Sequence, residues 1–266
     1  MTRQKLPMDL RRARAIVLGE EKRGLGRPLK MPWYSFGLPA SACARGKELA
    51  KDPYSVCAHC YGTKAFYLTY RNVREAHALR MNGLKHEEWV PAMTTLLLFY
   101  AGRGGSQKPK YFRWFDSGDL QGVWLLANIV EVCRQTPMVR HWLPTHEPFM
   151  VREYLELAKA RRLPPIPKNL CIRISADLVG KPPEPIAGLE MIPTHTVHRG
   201  HGTGTAVQVS ADPHDSFECP SFRYANKRND AGVCMDCRMC WNAKRKNVSF
   251  PLHGENAELF QLRLAL

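Results

Sequence analysis

The sequence predicts an α/β fold: a reduced or irregular (β/α) barrel over residues 31–218, followed by a small C-terminal Cys-rich metal-binding subdomain over 219–266. Three observations predict it. Strand and helix patterns alternate in units that repeat after roughly thirty residues, the length a parallel strand, its crossover helix and two loops require. Every strand candidate stops at a polar cluster, as strands do when their C-terminal ends line a barrel's active face. Finally, seven of the nine cysteines fall in two knots, Cys43/Cys57/Cys60 near the start and Cys219/Cys234/Cys237/Cys240 near the end. Cys133 and Cys171 lie in apolar runs and read as buried.

Residues 1–30 are basic and rich in Arg, Lys and Gly, which reads as an N-terminal arm ordered on binding. Lys30 to Ala40 is a short extended segment leading into the first knot. Phe66, Tyr70, Val73 and Ala76 are spaced for one face of a helix from about Thr63 to Met81. A second helix is expected from about Glu87 to Tyr100, with Pro91 close enough to its start to be tolerated. Tyr111 to Phe115 then reads as a strand, Leu120 to Arg134 as a helix, Val139 to Leu143 as a strand, Pro148 to Arg161 as a helix and Leu170 to Ile174 as a strand. Further strands near Glu190 to Ile192 and Thr205 to Val209 come at shorter intervals, so the helices between them are small or missing. The polar clusters at the strand ends are Asp116–Asp119, Pro144–Glu147, Ser175–Asp177, Thr194–Thr196 and Ser210–Asp212.

Composition narrows the partner. Lys and Arg number 39 against 24 acidic residues, a formal charge of +15 spread along the chain. Such an excess favours a polyanion, because each phosphate contact releases condensed counterions. Nucleic acid is the expected partner, DNA ahead of RNA. Basic runs interleaved with aromatics, Lys108–Trp114 and Ser221–Arg228, suit phosphate contacts with base stacking, or snorkelling side chains around a barrel rim. There is no signal-peptide-like apolar segment and no run long enough to span a bilayer, so no membrane is expected and a reducing cytoplasm is the expected location. A chain of 266 residues buries a sufficient core without disulfide staples. Thiols grouped at Cys-x2-Cys spacing then point to zinc or an iron–sulfur cluster.

The segment Asp116-Ser-Gly-Asp-Leu-Gln121 is the most suggestive catalytic motif. Gly118 permits a tight turn that holds Asp116 and Asp119 at the mouth, where one carboxylate handles a proton and another stabilises a cation. Asp119 equally suits a helix cap. Arg113 and Arg173 lie on strands aimed at the same mouth, to grip a phosphate or to pair with carboxylates. His195, His198, His201 and His214 are loop or strand-end candidates for acid/base or ligand roles, and His59 sits inside the Cys57/Cys60 turn.

That motif resembles the Asp-Ser-Gly-Gly-Phe-Gln motif of the tRNA-guanine transglycosylase superfamily, including its DNA-acting phage and bacterial branch. The resemblance implies a (β/α) barrel with a zinc site, exchanging guanine in a polynucleotide for a 7-deazaguanine base. Asp116 would be the base-side carboxylate, with Arg113, Ser117, Gly118, Gln121 and Arg173 contacting substrate. Cys234, Cys237 and Cys240, with Cys219 or His253, would hold Zn2+. Arg140 stands where that family has its nucleophilic aspartate, which moves the expectation to Asp177 or Asp212.

A second resemblance covers more of the chain. Cys57-x2-Cys60-Tyr61, Ser117-Gly118-Asp119, Trp142-x2-Thr145, Ser175-x-Asp177 and Cys234-x2-Cys237-x2-Cys240-Trp241 together resemble a family of phage and plasmid proteins named after a numbered phage gene product. Its Cys-Tyr knot beside a strand is similar to that of radical S-adenosylmethionine enzymes. This implies a [4Fe–4S] cluster on Cys43, Cys57 and Cys60, working with S-adenosylmethionine, and an auxiliary cluster on the C-terminal four. The leading expectation is therefore a bacteriophage-type guanine transglycosylase acting on nucleic acid in the cytoplasm of a bacterial host. A radical iron–sulfur enzyme is the enzymatic alternative, and a non-catalytic, metal-stabilised nucleic-acid-binding protein the other.

Overall fold

In the computed structural model, the described residues are 5–28, 31–63, 67, 69–102, 110–198, 216–220, 234 and 236–252. Seven parallel strands form one sheet in the order β1-β2-β3-β4-β5-β7-β6. They are β1 Ser35–Phe36, β2 Lys110–Trp114, β3 Val139–Thr145, β4 Leu170–Ser175, β5 Thr194–His198, β6 Ser216–Glu218 and β7 Asn247–Pro251. The helices are α1 Leu10–Leu18, α2 Ala44–Leu49, α3 Arg71–Gly83, α4 Trp89–Gly102, α5 Val123–Gln135 and α6 Pro148–Lys159. The protein is thus an α/β protein built on a parallel sheet.

Strand order explains how the two faces of the sheet are used. From β1 to β5 each strand lies beside the one before it, and right-handed crossovers wound in one direction put their helices on a single face. Phe36, Phe112, Trp114, Val139, Leu143, Leu170, Ile172 and Ile174 point to that face and join the helices in one large core. α4 is apolar nearly all round, with Ala92, Met93, Leu96 and Leu97 fully enclosed, because it packs against α1 and α5 as well as the sheet. On the opposite, inner face, Tyr111, Trp142, Val248, Phe217 and Phe250 pack with Cys240 and Trp241 from the C-terminal segment. The Trp241 indole donates to the Phe112 carbonyl at 2.8 Å.

The expected helices and strands between Glu87 and Ile174 occur with ends moved by a few residues. Others change. Leu10–Leu18, read as part of a basic arm, is a helix capped by Asp9, which accepts from Arg11 and Arg12 N–H at 2.9 and 3.1 Å. It ends at Gly19 in the left-handed region, φ +74°. Ala13, Ile16, Val17 and Leu18 are buried; the arginines sit between them in sequence and disguise an apolar stripe. α3 begins at Arg71, residues 64–66 of the expected helix lying outside the described ones, and it buries His77 and Arg80 rather than Tyr70.

The strand expected near Glu190 lies instead at Thr194–His198. The Thr194–Thr196 cluster is therefore part of a strand, its two threonines satisfied across the sheet: Thr194 Oγ1 donates to Asn247 Oδ1 and Asn247 Nδ2 to Thr196 Oγ1, each at 3.0 Å. The strand expected at Thr205–Val209 lies outside the described residues. β7, from the segment expected to form a separate Cys-rich subdomain, inserts between β5 and β6. A boundary at residue 219 therefore falls inside one sheet. No helix among the described residues is long and apolar enough to cross a membrane.

Candidate functional site

The segment after β1 carries the first three cysteines and is stitched to the C-terminal ends of β2, β3 and β4. Leu38 N–H donates to Ser117 O at 2.8 Å, Arg45 N–H to Glu147 Oε1 at 3.0 Å, and Val56 N–H to Asp177 O at 2.8 Å. Arg45 also pairs with Asp177 at 2.5 Å. These ties replace regular structure: the loop itself offers only short 3-10 turns and the six-residue α2, with Cys43 and Cys60 at the turn ends.

Its sulfurs lie beside two glycines of the loop. A Cβ built on Gly46 would lie 3.6 Å from Cys57 Sγ and 3.8 Å from Cys43 Sγ, and one on Gly62 would lie 3.4 Å from Cys60 Sγ and 2.8 Å from Ser117 Oγ. Burial pushes the Cys43 thiol up to about 12, and Asp119, Cys60, Cys57 and Glu147 push it the same way. Three thiols and two carboxylates thus share one electrostatic neighbourhood. His59 Nε2 donates to the Pro53 carbonyl at 2.9 Å and so serves the turn.

The β2 end brings the Asp116–Gln121 segment to this loop. Phe115 takes a positive φ of +52°, a strained conformation for a bulky residue. It turns Asp116 toward Tyr67, whose hydroxyl donates to Oδ2 at 3.2 Å. Asp116 Oδ1 is buried with no partner, as is Ser117 Oγ beside Cys60. The Tyr61 hydroxyl donates to the Asp116 carbonyl and receives Arg113 Nη2 at 3.2 Å. Gly118, at φ +79°, passes against Leu38, where no Cβ fits.

Asp119 is a clamp between strands rather than the cap of α5, which starts at Val123 after Gly122. Its Oδ1 accepts from Leu120 N–H at 2.7 Å and Thr145 Oγ1 at 2.6 Å, and Oδ2 from His146 N–H at 2.8 Å. Burial raises its pKa while His146 and these hydrogen bonds oppose the rise. Gln121 Nε2 donates to Asp119 O at 2.9 Å and Ala42 O at 3.3 Å, bracing the approach to Cys43.

Asp177, a candidate nucleophile, is held by Arg45 and by His146 Nδ1 at 3.5 Å. Burial alone would raise its pKa, but His146 and Arg45 keep it below the ordinary value. His146 also meets Cys57; burial alone would depress it, yet Asp177 and Cys57 lift it to about 10. Asp212, His201, His214 and His253 lie outside the described residues. Sequence reasoning singled out the Pro144–Glu147 cluster as a strand end but not His146 and Glu147 as site residues, named Tyr61 only as part of the Cys-Tyr knot, and missed Arg45. The polar run after β3 was the available signal.

The second knot lies against the inner face. Burial raises the Cys234 thiol to about 11, Cys219 and Cys237 adding to it and Arg238 and Arg113 opposing. Cys240 is pushed well above its usual value by burial, then by Cys219, with Arg173 opposing. Arg173, expected to grip substrate, is fully buried and donates to four carbonyls: Cys240 O at 3.1 Å, Thr194 O at 3.1 Å, Met239 O at 3.0 Å and Asn242 O at 2.7 Å. It anchors the knot. Arg113 lies over the Trp142 ring at 4.7 Å, between the two knots. Among the described residues no group of three or more His, Cys, Asp or Glu side chains is drawn together as ligands of a single ion. All nine cysteines are free thiols. The donor set of each knot is the soft one that zinc and iron–sulfur clusters take.

Fold and site together define a parallel α/β protein with a thiol-bearing loop on its strand ends and a second thiol knot under the sheet. The chain belongs to the family described as gene product 88, whose sequence model matches residues 10–243. Comparison with curated proteins and with solved structures found no match.

Proposed function

We propose that this protein is an iron–sulfur enzyme that modifies a nucleic-acid base at the strand-end mouth, inside a bacterial cell infected by a phage. Cys43, Cys57 and Cys60 would hold a [4Fe–4S] cluster, and Cys219, Cys234, Cys237 and Cys240 a second group, zinc or a further cluster. The observation that carries the reading is that three thiols of the first strand-to-helix loop share one electrostatic neighbourhood with carboxylates after β2 and β3. When bound, such a cluster with S-adenosylmethionine supplies one-electron chemistry at an unactivated carbon. The reduced-barrel reading belongs to the same proposal. Helices cover one face, and the inner face, lined by Arg113, Trp142, Arg173 and His195, is closed by the protein's own C-terminal segment.

The chain's own residues supply positioning. Asp119 fixes the β2 turn to β3, Gln121 braces the loop before Cys43, and Arg45 ties that loop to Glu147 and Asp177. Their rigidity keeps the three thiols at one place relative to the mouth. A second reading, exchange of guanine for a 7-deazaguanine, has one observation in its favour: Asp116 Oδ1 is buried without a partner, a position suited to accept from a base. Asp177, its nucleophile candidate, is engaged by Arg45 and His146.

Metal and acid-labile sulfide analysis of protein purified without oxygen tests the choice. Iron with sulfide, falling in Cys57→Ala while the metal of the second knot stays, supports the iron–sulfur reading, as does cleavage of S-adenosylmethionine by the reduced protein. One zinc and no sulfide overturns it in favour of base exchange, assayed by release of guanine and its dependence on Asp116.

A further inference from the structure

We propose that the rim of the strand-end mouth is a stacking platform for single-stranded nucleic acid, which deepens the functional reading above by naming the form in which the substrate is presented. Among the described residues, five aromatic side chains are strongly exposed, all on segments that follow β1, β2 and β3, and four of them, all but Tyr70 at the start of α3, form the platform. They are Tyr54 at 46%, Tyr61 at 49%, Trp124 at 46% and Phe149 at 51%. Exposed aromatic faces of this kind are available for a base to stack on.

Three of the rings lie against neighbouring groups, and Tyr54 sits on a backbone tied to the next segment. The Tyr61 hydroxyl is anchored to the Asp116 carbonyl and to Arg113. Tyr54 O accepts from Val179 N–H at 3.0 Å, fixing it to the segment after β4. The Trp124 ring lies over Gly122, where a Cβ would approach it to 2.7 Å. Phe149 is flanked by the Arg45 and Arg152 guanidinium groups, 5.9 and 5.2 Å from its centroid. Rings ordered before binding lose little entropy when a partner arrives.

Charge selects the partner. The mouth carboxylates Asp119, Glu147 and Asp177 are buried or paired, while Lys47 on α2 and Lys181 after β4 are exposed on a protein of net charge +15. Aromatic faces with surrounding cations match a polyanion that offers flat rings between its phosphates. In a duplex those faces are stacked on one another and out of reach, so the strand must be unpaired.

The test is fluorescence anisotropy of a labelled oligodeoxynucleotide with the full-length protein purified without oxygen, against a duplex and an oligoribonucleotide of the same sequence. Either single strand should bind more tightly than the duplex, more weakly as salt rises. Trp124→Ala and Phe149→Ala should each weaken binding by about fivefold to a hundredfold. Met138→Ala, an exposed apolar residue at the opposite end of β3, should leave affinity unchanged. Circular dichroism confirms that the variants fold. Unchanged affinity in both ring variants, or duplex bound as tightly as single strand, overturns the proposal. Because the readout is binding alone, it fails separately from the cluster reading, which Cys57→Ala and iron content decide.

Discussion

The mouth knot and the inner-face knot place the same side chain in opposite surroundings. At the mouth, Cys43 feels Asp119 and Glu147 as well as its two partner thiols, and all of them resist its ionisation. Under the sheet, Arg238, Arg113 and Arg173 oppose the same rise in Cys234 and Cys240. Their mechanical settings differ too. The mouth cysteines are half-buried on short turns tied down by side chains; of the inner knot, Cys219 and Cys240 are buried, the latter within an aromatic cluster, while Cys234 and Cys237 are half-buried. The contrast teaches that one knot is coupled to the strand-end carboxylates while the other is packed into the aromatic cluster on the sheet.

The largest effect should come from removing one thiol of each knot. Cys240→Ala should lose the inner metal and lower stability by several kcal/mol, since metal binding and core packing are lost together. Cys57→Ala should strip the mouth metal yet change folding stability by less than about 1 kcal/mol. Metal analysis with urea denaturation reads both, and equal destabilisation by the two would erase the distinction. Next in size is Arg173→Met. It leaves four buried carbonyls without their donor, at about 3–5 kcal/mol, and should release the inner metal while mouth iron stays. Loss of both metals in parallel would show that the knots are not independent.

Gly118→Ala strikes the other side of the comparison. The new Cβ would meet Leu38 Cβ at 2.6 Å and its carbonyl at 2.9 Å, at a backbone φ of +79°. About 1–3 kcal/mol of strain would loosen the Asp119 clamp, so mouth iron should fall before inner metal does.

How much of this was legible depended on where each residue finds its partner. β2, β3 and β4 announce themselves because their apolar residues alternate toward one large core. β5 and β7 do not, because Thr194, Thr196 and Asn247 satisfy one another across strands far apart in sequence, and such pairs look like loop residues when read singly. α1 is hidden by Arg11, Arg12 and Arg14 on its solvent side. At the site, cysteine spacing exposed the thiols through their chemistry alone. Arg45 carried no local mark, since the Asp177 it pairs with lies 132 residues away. Arg173 was misread for a related reason: an arginine on a strand suggests a phosphate, and only the fold shows the four carbonyls that occupy it.

Acid supplies the smallest effect and a control for all the others, because metal loss at low pH must be separated from weakening of the scaffold. His141 lies on the helix-side face, fully enclosed and stacked on Trp114. Thr136 Oγ1 donates its own proton to Val132 O at 2.7 Å, so His141 Nε2, 2.9 Å from the same oxygen, must be the N–H donor. Nδ1 is then the basic nitrogen, buried without a partner. Burial therefore depresses the pKa from 6.5 to about 3. A depressed histidine stabilises the fold fully above its unfolded pKa, and that contribution is lost as pH falls from 6.5 toward 3. The loss from this residue should reach about 2 kcal/mol at pH 5, measured by urea denaturation at pH 7.5, 6 and 5. His141→Gln should be less stable at neutral pH but flatten the acid slope by one proton. If the slope is unchanged, another group governs acid sensitivity, and metal release between pH 6 and 5 must then be assigned to the thiol knots themselves.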